Sequence, residues 1–562
     1  MKILVTAIMA IISMTANAQE TRLLAFPTAE GFGKYASGGR GGKVVEVTNL
    51  NDSGEGSLRW ALTEAGSENA TIVFRVSGII TIGPNPKRPK ENSIRVSLKN
   101  VTIAGQTAPG EGILLRGGKL NLGGSENVII RNIRSRLGVK ELERHEGESD
   151  QDYKKRCFID GGAIGIENAR NIIIDHCCFG WSGEENITMY DNHYTTVQWC
   201  IIHEGLHNAG HKKGVRGYGC QWGGSPASYH HNLLAHNNGR SCRFNGARNN
   251  DRVVYLDYIN NVNFNYYGGS SGCHGGENTC DDKFYNGKNA GHEVNFVNNY
   301  YIKGPNTTNT RLFFVADANR SGYTSRGPSQ WYVNGNVYEG EPKATEDNWS
   351  AVTIKKYSKD EARVDTLIRT KTPYWDCNAD STEFSGLYDF EMYAYAVEAF
   401  ETAEEARQTV LDTVGVFPRD HVEKRIIEET RNNTYTYTGS KAGKKGIIDT
   451  PEDAEGFYDY PVVAPLTDTD RDGMPDEWEV ANGCNPNVAD NNVRHASGYT
   501  MLEMYLNEAM HKAPMDDGYR PQGVESVEWS TPSKKIFREG QLLIQRGDKI
   551  YTLQGQSLNI KQ

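Results

Sequence analysis

The residues most able to do chemistry fall between Asn171 and Phe244, where charged side chains stand at the ends of short alternating segments. The stretch NIIIDHCCFGWSGEENITMY places acids just after apolar runs, and HHNLLAHNNGRSCRF places an arginine pair at the end of another. Carboxylates supply the oxygen ligands that hard cations prefer, and guanidinium groups bind carboxylates in a fork geometry. The combination predicts a metal-assisted site for an anionic substrate.

A second acidic motif has the spacing of a twelve-residue calcium loop. Its acids stand at loop positions 1, 3, 5, 9 and 12, with glycine at position 6. They are Asp468, Asp470, Asp472, Asp476 and Glu479, and the glycine is Gly473. Glycine permits the sharp turn, and the final Glu can chelate through both oxygens. We predict that this loop binds Ca²⁺ and has a structural or tethering role.

The scaffold that positions these groups is indicated by a repeated strand pattern. Six segments share β-branched or aromatic residues on alternate positions, then Asn or Cys at a bend, then another apolar pair. They begin at Asn127, Asn171, Thr196, Ser228, His292 and Gln330. A spacing of roughly two to four dozen residues is typical of solenoids. In a solenoid, aligned Asn side chains can satisfy the bend carbonyls in a ladder.

We therefore predict an all-β chain folded as a right-handed parallel β-helix. The alternative is a β-sandwich, which would favour tight hairpin turns between neighbouring strands. Long Gly- and Asn-rich loops separate the segments here, so the sandwich is the weaker interpretation. The recurring histidines occupy repeated strand positions without an HExxH pair, which favours packing between coils over zinc binding. They are His176, His203, His230, His231 and His236.

Composition and the first residues indicate an exported protein. The chain has 562 residues and a formal net charge of −10. Its opening, MKILVTAIMAIISMTANAQE, has Lys2, a short apolar run and a small-x-small cleavage pattern, which predicts a signal peptide over 1–18 cleaved after Ala18. No later stretch is apolar enough to span a bilayer. The acidic balance argues against nucleic acid as a partner.

The remaining chain divides into three predicted parts. Residues 19–460 form the β-helix and include a helical segment at about 400–432 that Pro418 interrupts. Residues 461–515 form the calcium-loop module, which has a helix-like SGYTMLEMYLN segment and no second set of acids. Residues 516–562 form a short β-rich tail, which is a candidate for either a sorting segment or a small packed hairpin.

Several motifs in order resemble the pectate lyase family, specifically its long bacterial branch, over roughly residues 25–460. They are FPTAEGFGKYASGGRGGKVVEVTNLNDSGEGSLRWAL, NIIIDHCCFGWSGEEN, GHKKGVRGYG, HHNLLAHNNGRSCRF and FPRDHVEKRIIEE. The resemblance implies an enzyme that cleaves α-1,4-polygalacturonate by Ca²⁺-assisted β-elimination. A base would remove the C5 proton, and the product would be a 4,5-unsaturated oligogalacturonate. We predict that the protein is a monomer.

The resemblance also implies a set of metal ligands. Asp175 in IIDH matches the family's calcium-ligand Asp, and Glu184 stands where the next acidic ligand is expected. Glu185 is a close rival of Glu184. Asp160, one strand repeat before Asp175, is an additional candidate ligand.

The same comparison implies the residues that would contact the polymer. Arg240 matches the catalytic Arg of the family's R-x-P-x-x-R motif and is the candidate base. Cys242 replaces the proline and Asn245 replaces the second Arg, so Arg243 or Arg248 is assigned the role of binding substrate.

The family's substrate-binding lysine is assigned to Lys213 in GHKKG, with Lys212 as its rival. Thr188 stands where the family often has another acid, so a pectin lyase acting on methyl-esterified chains without calcium remains an alternative. The altered R-S-C-R motif supports a second alternative, a β-helix that binds uronate polymers without cleaving them.

Overall fold

The computed structural model divides into two compact units, Met1–Pro514 and Met515–Gln562. The described residues are 22–245, 254–266, 272–276, 279–281, 292–308, 313–315, 323–325, 330–354, 363–364, 401–441, 443–512, 534–538, 541–546, 549–551 and 557–558. The predicted signal peptide at 1–18 and Arg248 lie outside the described residues.

The first unit is built on three long sheets that the chain visits in turn. In the part of the chain that the structure describes, sheet 1 consists of Lys43–Val47, Glu68–Phe74, Lys99–Ala104, Glu126–Arg131, Arg170–Asp175, His193–Gln198, Ala227–His230, Val254–Ile259, His292–Val297, Gln330–Asn334 and Arg363–Val364. Sheet 2 consists of Gly78–Thr81, Ile113–Arg116, Arg134–Arg136, Cys178–Gly180, Ile201–His203, Leu233–Ala235, Val262–Phe264, Tyr300–Ile302 and Val337–Tyr338.

Sheet 3 is the last of the three sheets that each coil enters. Its described strands are Pro84–Asn85, Arg88–Arg95, Lys119–Asn121, Ile164–Glu167, Glu185–Tyr190, Tyr218–Trp222, Cys242–Phe244, Cys273–Gly275, Phe313–Val315 and Val352–Ile354. The first two strands pair antiparallel, and the others pair in parallel. A separate antiparallel pair joins Thr279–Asp281 to Tyr323–Ser325.

Each coil runs from sheet 1 through sheet 2 to sheet 3, and its parallel strands pair with the coil before and the coil after. Ile173 pairs with Ile129 on one side and with Thr196 on the other. This parallel register places alternate apolar residues of all three sheets in one continuous core. The predicted parallel β-helix is confirmed, and the β-sandwich alternative is wrong.

The bend between sheets 1 and 2 is a single residue in the left-handed backbone region. The bend residues include Asn132, His176, Trp199, His231, Asn260 and Asn298. Asn tolerates this conformation better than most residues, which explains its recurrence there. Inside the solenoid, the Asn232 side chain donates to Asn261 Oδ1 at 3.1 Å, and Asn261 donates to Asn299 at the same distance. The repeat predicted such an asparagine ladder.

Helices occur between the strands of the β-helix and after its last coil. In the described residues they are Leu58–Trp60, Ala61–Ala65, Gly105–Thr107, Asp150–Cys157, Pro342–Glu346, Asn348–Ala351, Ala403–Thr413, His421–Asn432, Pro451–Ala454, Asp476–Asn482 and Met501–Lys512. The predicted helical segment at 400–432 is two helices, each begun by a capping box at Thr402 or Asp420.

These two helices cover sheet 2. Val410 and Ile426 pack against residues of sheet 2 such as Ile201 in one buried cluster. Buried ion pairs reinforce the contact, because Arg134 donates to Glu423 at 2.6 Å and Arg136 donates to Asp420 at 2.6 and 3.0 Å. The sequence places the closing segment at the right position, and the sheet decides which side it covers.

The second unit contains a four-stranded antiparallel sheet of Lys534–Arg538, Gln541–Arg546, Lys549–Tyr551 and Ser557–Leu558. Its strands follow the β-like pattern predicted for the tail. Across all described residues, the helices fall short of the length and apolarity needed to cross a bilayer.

Candidate active site and calcium loop

The outer face of sheet 3 presents a row of polar side chains at one register level. Thr188 pairs with Gly165 and Gln221, Gln221 pairs with Arg243, and Arg243 pairs with His274. Neighbouring residues on the same strands, such as Ile187, Cys220 and Phe244, belong to the core. Because successive side chains of a strand point to opposite faces, the row points outward.

An acidic cluster lies where the chain enters this face. Single ligand atoms of Asp160, Glu184 and His211 lie within 4.8 Å of one another. His211 Nδ1 accepts the Lys213 backbone N–H at 2.9 Å, so the ring proton is on Nε2, which donates to Glu184 Oε1 at 2.7 Å. Two carboxylates beside a half-open face provide oxygen ligands that suit Ca²⁺.

Arg240 lies beside this cluster, at the start of the strand Cys242–Phe244. Its guanidinium is ion-paired with Glu185 and donates to Gln221 Oε1 at 2.9 Å. The guanidinium carbon also lies 4.4 Å from the centre of the Tyr218 ring. Arg240 therefore lies over the outer face of sheet 3, held by three neighbours.

Arg216 is a functional candidate that the sequence interpretation missed. It donates to Glu184 Oε1 at 3.2 Å and lies 4.9 Å from the Tyr218 ring centre. Arg216 stands two residues before Tyr218–Trp222, just as Arg240 stands two residues before Cys242–Phe244. This repeated position, two residues before a sheet 3 strand, is the sequence feature from which Arg216 could have been predicted.

Lys213, the predicted substrate lysine, is arranged differently. Its backbone supports His211, and its side chain is exposed beside an exposed Lys212. Lys213 is thus near the acidic cluster in sequence. The cation that contacts Glu184 directly is Arg216.

Lys119 adds a second unpredicted cation to this face. A Cβ atom on Gly165 would lie 2.4 Å from Lys119 Cε, so the absence of a side chain at Gly165 makes room for the lysine. Burial lowers the pKa of Lys119, and the charges of Glu167, Asp160 and Glu184 oppose that shift. The lysine therefore lies next to the acidic cluster on the neighbouring coil.

Asp175 lies apart from Glu184, although the sequence interpretation paired them. It ends a strand of sheet 1 and is fully buried. Its carboxylate accepts hydrogen bonds from Arg131 at 2.8 Å and from Gln198 at 2.8 Å, and it contacts His176 at 2.8 Å. Burial alone would raise the pKa of Asp175, but the charges of His176 and Arg131 hold it well below its usual range.

The residues around Arg240 divide between core and face. Cys242 is fully buried in the core, and the Asn245 backbone N–H donates to the Trp222 carbonyl at 2.8 Å. Arg243 points outward in register with Gln221. Arg248, its rival for binding substrate, lies outside the described residues.

The calcium loop gathers its acids around a common centre. Asp468, Asp470 and Asp472 form one group of ligand atoms within 4.8 Å, and Asp472, Glu479 and Asp490 form another. Glu479 is fully buried, and among the described residues neither of its carboxylate oxygens has a hydrogen-bond partner. Buried carboxylate oxygens without donors fit a bound cation, and a set made only of oxygens fits Ca²⁺.

The set of ligand candidates differs from the sequence interpretation at two residues, one inside the loop and one beyond it. Asp490 joins the cluster from the following turn, although it lies beyond the twelve-residue pattern. Asp476 accepts both the backbone N–H and the hydroxyl of Thr469 at 2.7 Å, and it lies outside both ligand groups. The Asp476 side chain holds the loop through these two hydrogen bonds, which explains an acid at position 9.

Burial, with added repulsion between neighbouring acids, raises the pKa of two carboxyl groups in this loop. Burial and the neighbouring acids, Asp470 among them, raise the pKa of Asp472 to about 6. Burial, Asp472 and Asp470 raise the pKa of Glu479 to about 7. Without a cation, the fold therefore favours protonated carboxyl groups at this centre.

The loop and its helices pack directly on the β-helix. Met474, Trp478, Leu502 and Leu506 form an apolar cluster with Ala104 of sheet 1. Arg75 lies 3.7 Å from Asp468, and Arg40 donates to Glu503 at 2.7 Å. The calcium-loop segment is thus part of the first unit.

Comparison with known proteins identifies the family. No family model matches the chain. It is 32% identical to "Probable pectate lyase C" of Aspergillus terreus over 492 residues, which cover 86% of this chain and 94% of that protein. It is also 32% identical to "Probable pectate lyase C" of Emericella nidulans, over 87% of this chain and 93% of that protein.

Among solved structures, the thermostable pectate lyase PL 47 aligns with 71% of this chain and 99% of its own, at 13% identity and a TM-score of 0.43. The β-helix itself rests on the strand pairing described above. Identity above 30% across most of both proteins places the sequence in one family with the fungal proteins. The chain therefore belongs to the pectate lyase family of enzymes.

Proposed function

We propose that this protein is a secreted pectate lyase that cleaves α-1,4-polygalacturonate by Ca²⁺-assisted β-elimination and releases 4,5-unsaturated oligogalacturonates. One observation carries the proposal. The acids Asp160 and Glu184 lie together just before strands of sheet 3, and the Tyr218 ring contacts both Arg216, which binds Glu184, and the base candidate Arg240. A polyanion bound along the outer face of sheet 3 would contact both the acids and the arginines.

Asp160 and Glu184 are the residues that would hold the active-site cation. Ca²⁺ bound there would neutralise the uronate carboxylate next to C5 and so make the C5 proton more acidic. Glu184 lies in one group of ligand atoms with Asp160 and His211, whereas Glu185 faces Arg240, so we assign the ligand role to Glu184. Asp175 is ion-paired with Arg131 of the neighbouring strand, and we assign it a structural role in sheet 1.

Arg240 is the residue that would meet the C5 proton. An arginine is a weak proton acceptor because its pKa exceeds about 12. Glu185 occupies this guanidinium, so substrate binding must separate the pair before Arg240 can reach the C5 proton. A charged Arg240 would still stabilise the negative charge that develops on the substrate.

Three further cations would bind the other uronate carboxylates. Arg243 points outward from sheet 3, Arg216 lies beside Glu184, and Lys119 lies beside the acidic cluster. Guanidinium groups bind carboxylates through two parallel hydrogen bonds, which orients the sugar as well as attracting it. Lys213 remains a candidate for the edge of this face.

The calcium loop at Asp468–Glu479 is proposed to bind a second, structural Ca²⁺ with Asp490 as an added ligand. Export and a monomeric state complete the proposal. Both are predictions from the sequence, and export rests on the leader predicted over 1–18.

Ultraviolet absorbance on polygalacturonate tests the proposal. The unsaturated product should accumulate with Ca²⁺, stop on addition of EDTA and return with excess Ca²⁺. Reducing ends without that absorbance would mean hydrolysis. Rapid product from highly esterified pectin in EDTA would favour a pectin lyase, and polymer binding without product would favour a non-catalytic uronate-binding β-helix.

A further inference from the structure

A glutamate and two histidines meet on sheet 1, whereas the proposed substrate face is on sheet 3. One oxygen of Glu30 and one ring nitrogen each of His230 and His231 lie within 4.8 Å of one another. His230 ends the strand Ala227–His230, and His231 is the bend residue that follows it. The two Nδ1 atoms are 2.8 Å apart.

Glu30 is fixed by its own backbone. Its N–H donates to Gln198 Oε1 at 3.1 Å, and its carbonyl accepts the Thr196 hydroxyl at 2.9 Å. The next residues are held as well, because the Phe32 N–H donates to Ser228 Oγ at 3.2 Å. The amino-terminal segment therefore holds this carboxylate at a set place above sheet 1.

Glu401 and Trp199 flank the His231 ring. Its Nε2 lies 3.5 Å from Glu401 Oε2, and its ring stacks on Trp199 with centroids 4.3 Å apart. A carboxylate near one ring nitrogen favours a proton on that nitrogen, which leaves the other nitrogen for a metal. His231 Nδ1, the atom that faces His230, is that other nitrogen.

Backbone geometry does not require histidine at this bend. The equivalent bends of other coils carry Asn132, Asn260 and Asn298 in the same left-handed conformation. Repeat positions alone favoured simple packing for His230 and His231. Glu30, distant in sequence, adds the carboxylate that a packing role does not need.

We propose that Glu30, His230 and His231 form a binding site for a divalent transition-metal ion, with Zn²⁺ as the best-fitting ion. Two imidazoles and one carboxylate are ligands typical of Zn²⁺, whereas Ca²⁺ prefers oxygen ligands throughout. The ion would tie the amino-terminal segment to sheet 1, and Glu401 would orient His231. This site is independent of the proposed lyase activity.

Zinc titration of the full chain tests the site. Bound metals are first removed with a chelator, and excess Ca²⁺ is then added so that the carboxylate sites are filled. In this buffer, Zn²⁺ is titrated in and its binding is measured by calorimetry. We expect one Zn²⁺ per chain. His231→Asn, which suits the bend, should abolish binding, and Glu30→Gln and Glu401→Gln should each weaken it at least about tenfold.

His176→Asn is the matched control, since it makes the same change at an equivalent bend outside the cluster. It should leave zinc binding unchanged. Absence of zinc binding in excess Ca²⁺, or binding that His231→Asn and Glu30→Gln leave intact, would overturn the proposal, as would equal loss in His176→Asn. If His231→Asn fails to fold, the partly exposed Glu30 carries the test. Every measurement here is of zinc binding, so the result does not depend on the proposed lyase activity.

Discussion

Arg240 is ion-paired with Glu185 on the outer face of sheet 3, and Gln221 accepts a second hydrogen bond from the same guanidinium. The pairing joins the base candidate to the residue that directly follows the metal-ligand candidate Glu184. It gives the site a closed state, in which the Arg240 guanidinium is occupied by Glu185 and Gln221. A bound uronate carboxylate could take the place of Glu185.

Replacing Arg240 should abolish catalysis without unfolding the protein. Loss of a residue that stabilises developing charge typically costs about 10²- to 10³-fold in kcat. We expect a loss at least that large for Arg240→Ala, with a cooperative thermal transition retained because the core of the β-helix is untouched. Steady-state kinetics and calorimetry measure the two effects.

Glu185→Gln is the companion variant. It removes the charge that holds Arg240, so polymer binding should tighten and KM should fall. Full activity in Arg240→Ala would contradict the assigned role, and an unchanged KM in Glu185→Gln would contradict the closed state.

Arg216 and Lys213 make a matched pair. A charged hydrogen bond is worth about 1.5–3 kcal/mol, so Arg216→Ala should lower kcat/KM by at least roughly tenfold. Lys213→Ala removes an exposed side chain and should have a smaller effect. Kinetics on polygalacturonate at several salt concentrations compare them, and the reverse order would restore Lys213 as the substrate lysine.

The calcium loop should stabilise the fold independently of catalysis. Asp472→Ala and Glu479→Gln remove oxygens that lie at the centre of the loop, so each should eliminate most of the rise in Tm that Ca²⁺ produces. Asp476→Asn should keep that rise, because Asp476 bonds Thr469 rather than facing the centre. Calorimetry with and without Ca²⁺ measures the effect. An equal loss in all three variants would argue against the inner set of ligands.

The stability of the chelated protein should depend on pH in an unusual direction. The pKa of Asp472 is raised to about 6 and that of Glu479 to about 7, above the ordinary range of these acids. A raised pKa in the folded state contributes stability at low pH that is lost as pH rises through that pKa. In EDTA, Tm should therefore fall from about pH 5 to pH 8.

Calcium should remove this trend, because a bound cation favours the ionised carboxylates. Glu479→Gln should flatten the curve in EDTA, since the group with the higher pKa is gone. Thermal scans across pH measure the effect. A Tm that rises over the same range in EDTA, with no change in Glu479→Gln, would show that other groups control stability there.

The sequence by itself determined the β-helix, the closing helices and the spacing of the calcium loop. These features depend on alternation, bend residues and short motifs, which are local properties of the chain. The motif around Arg240 could also be recognised from sequence, because its residues lie on one short stretch.

Tertiary structure alone decided which charged groups meet. Asp175 and Glu184 are close in sequence, but Asp175 ends a strand of sheet 1, whereas Glu184 directly precedes a strand of sheet 3. Asp160 and His211 come from other coils to join Glu184, and Asp490 returns to Glu479 from beyond the loop. Glu30 reaches His231 in the same way. Stacked coils bring distant residues together at register positions that no local pattern specifies.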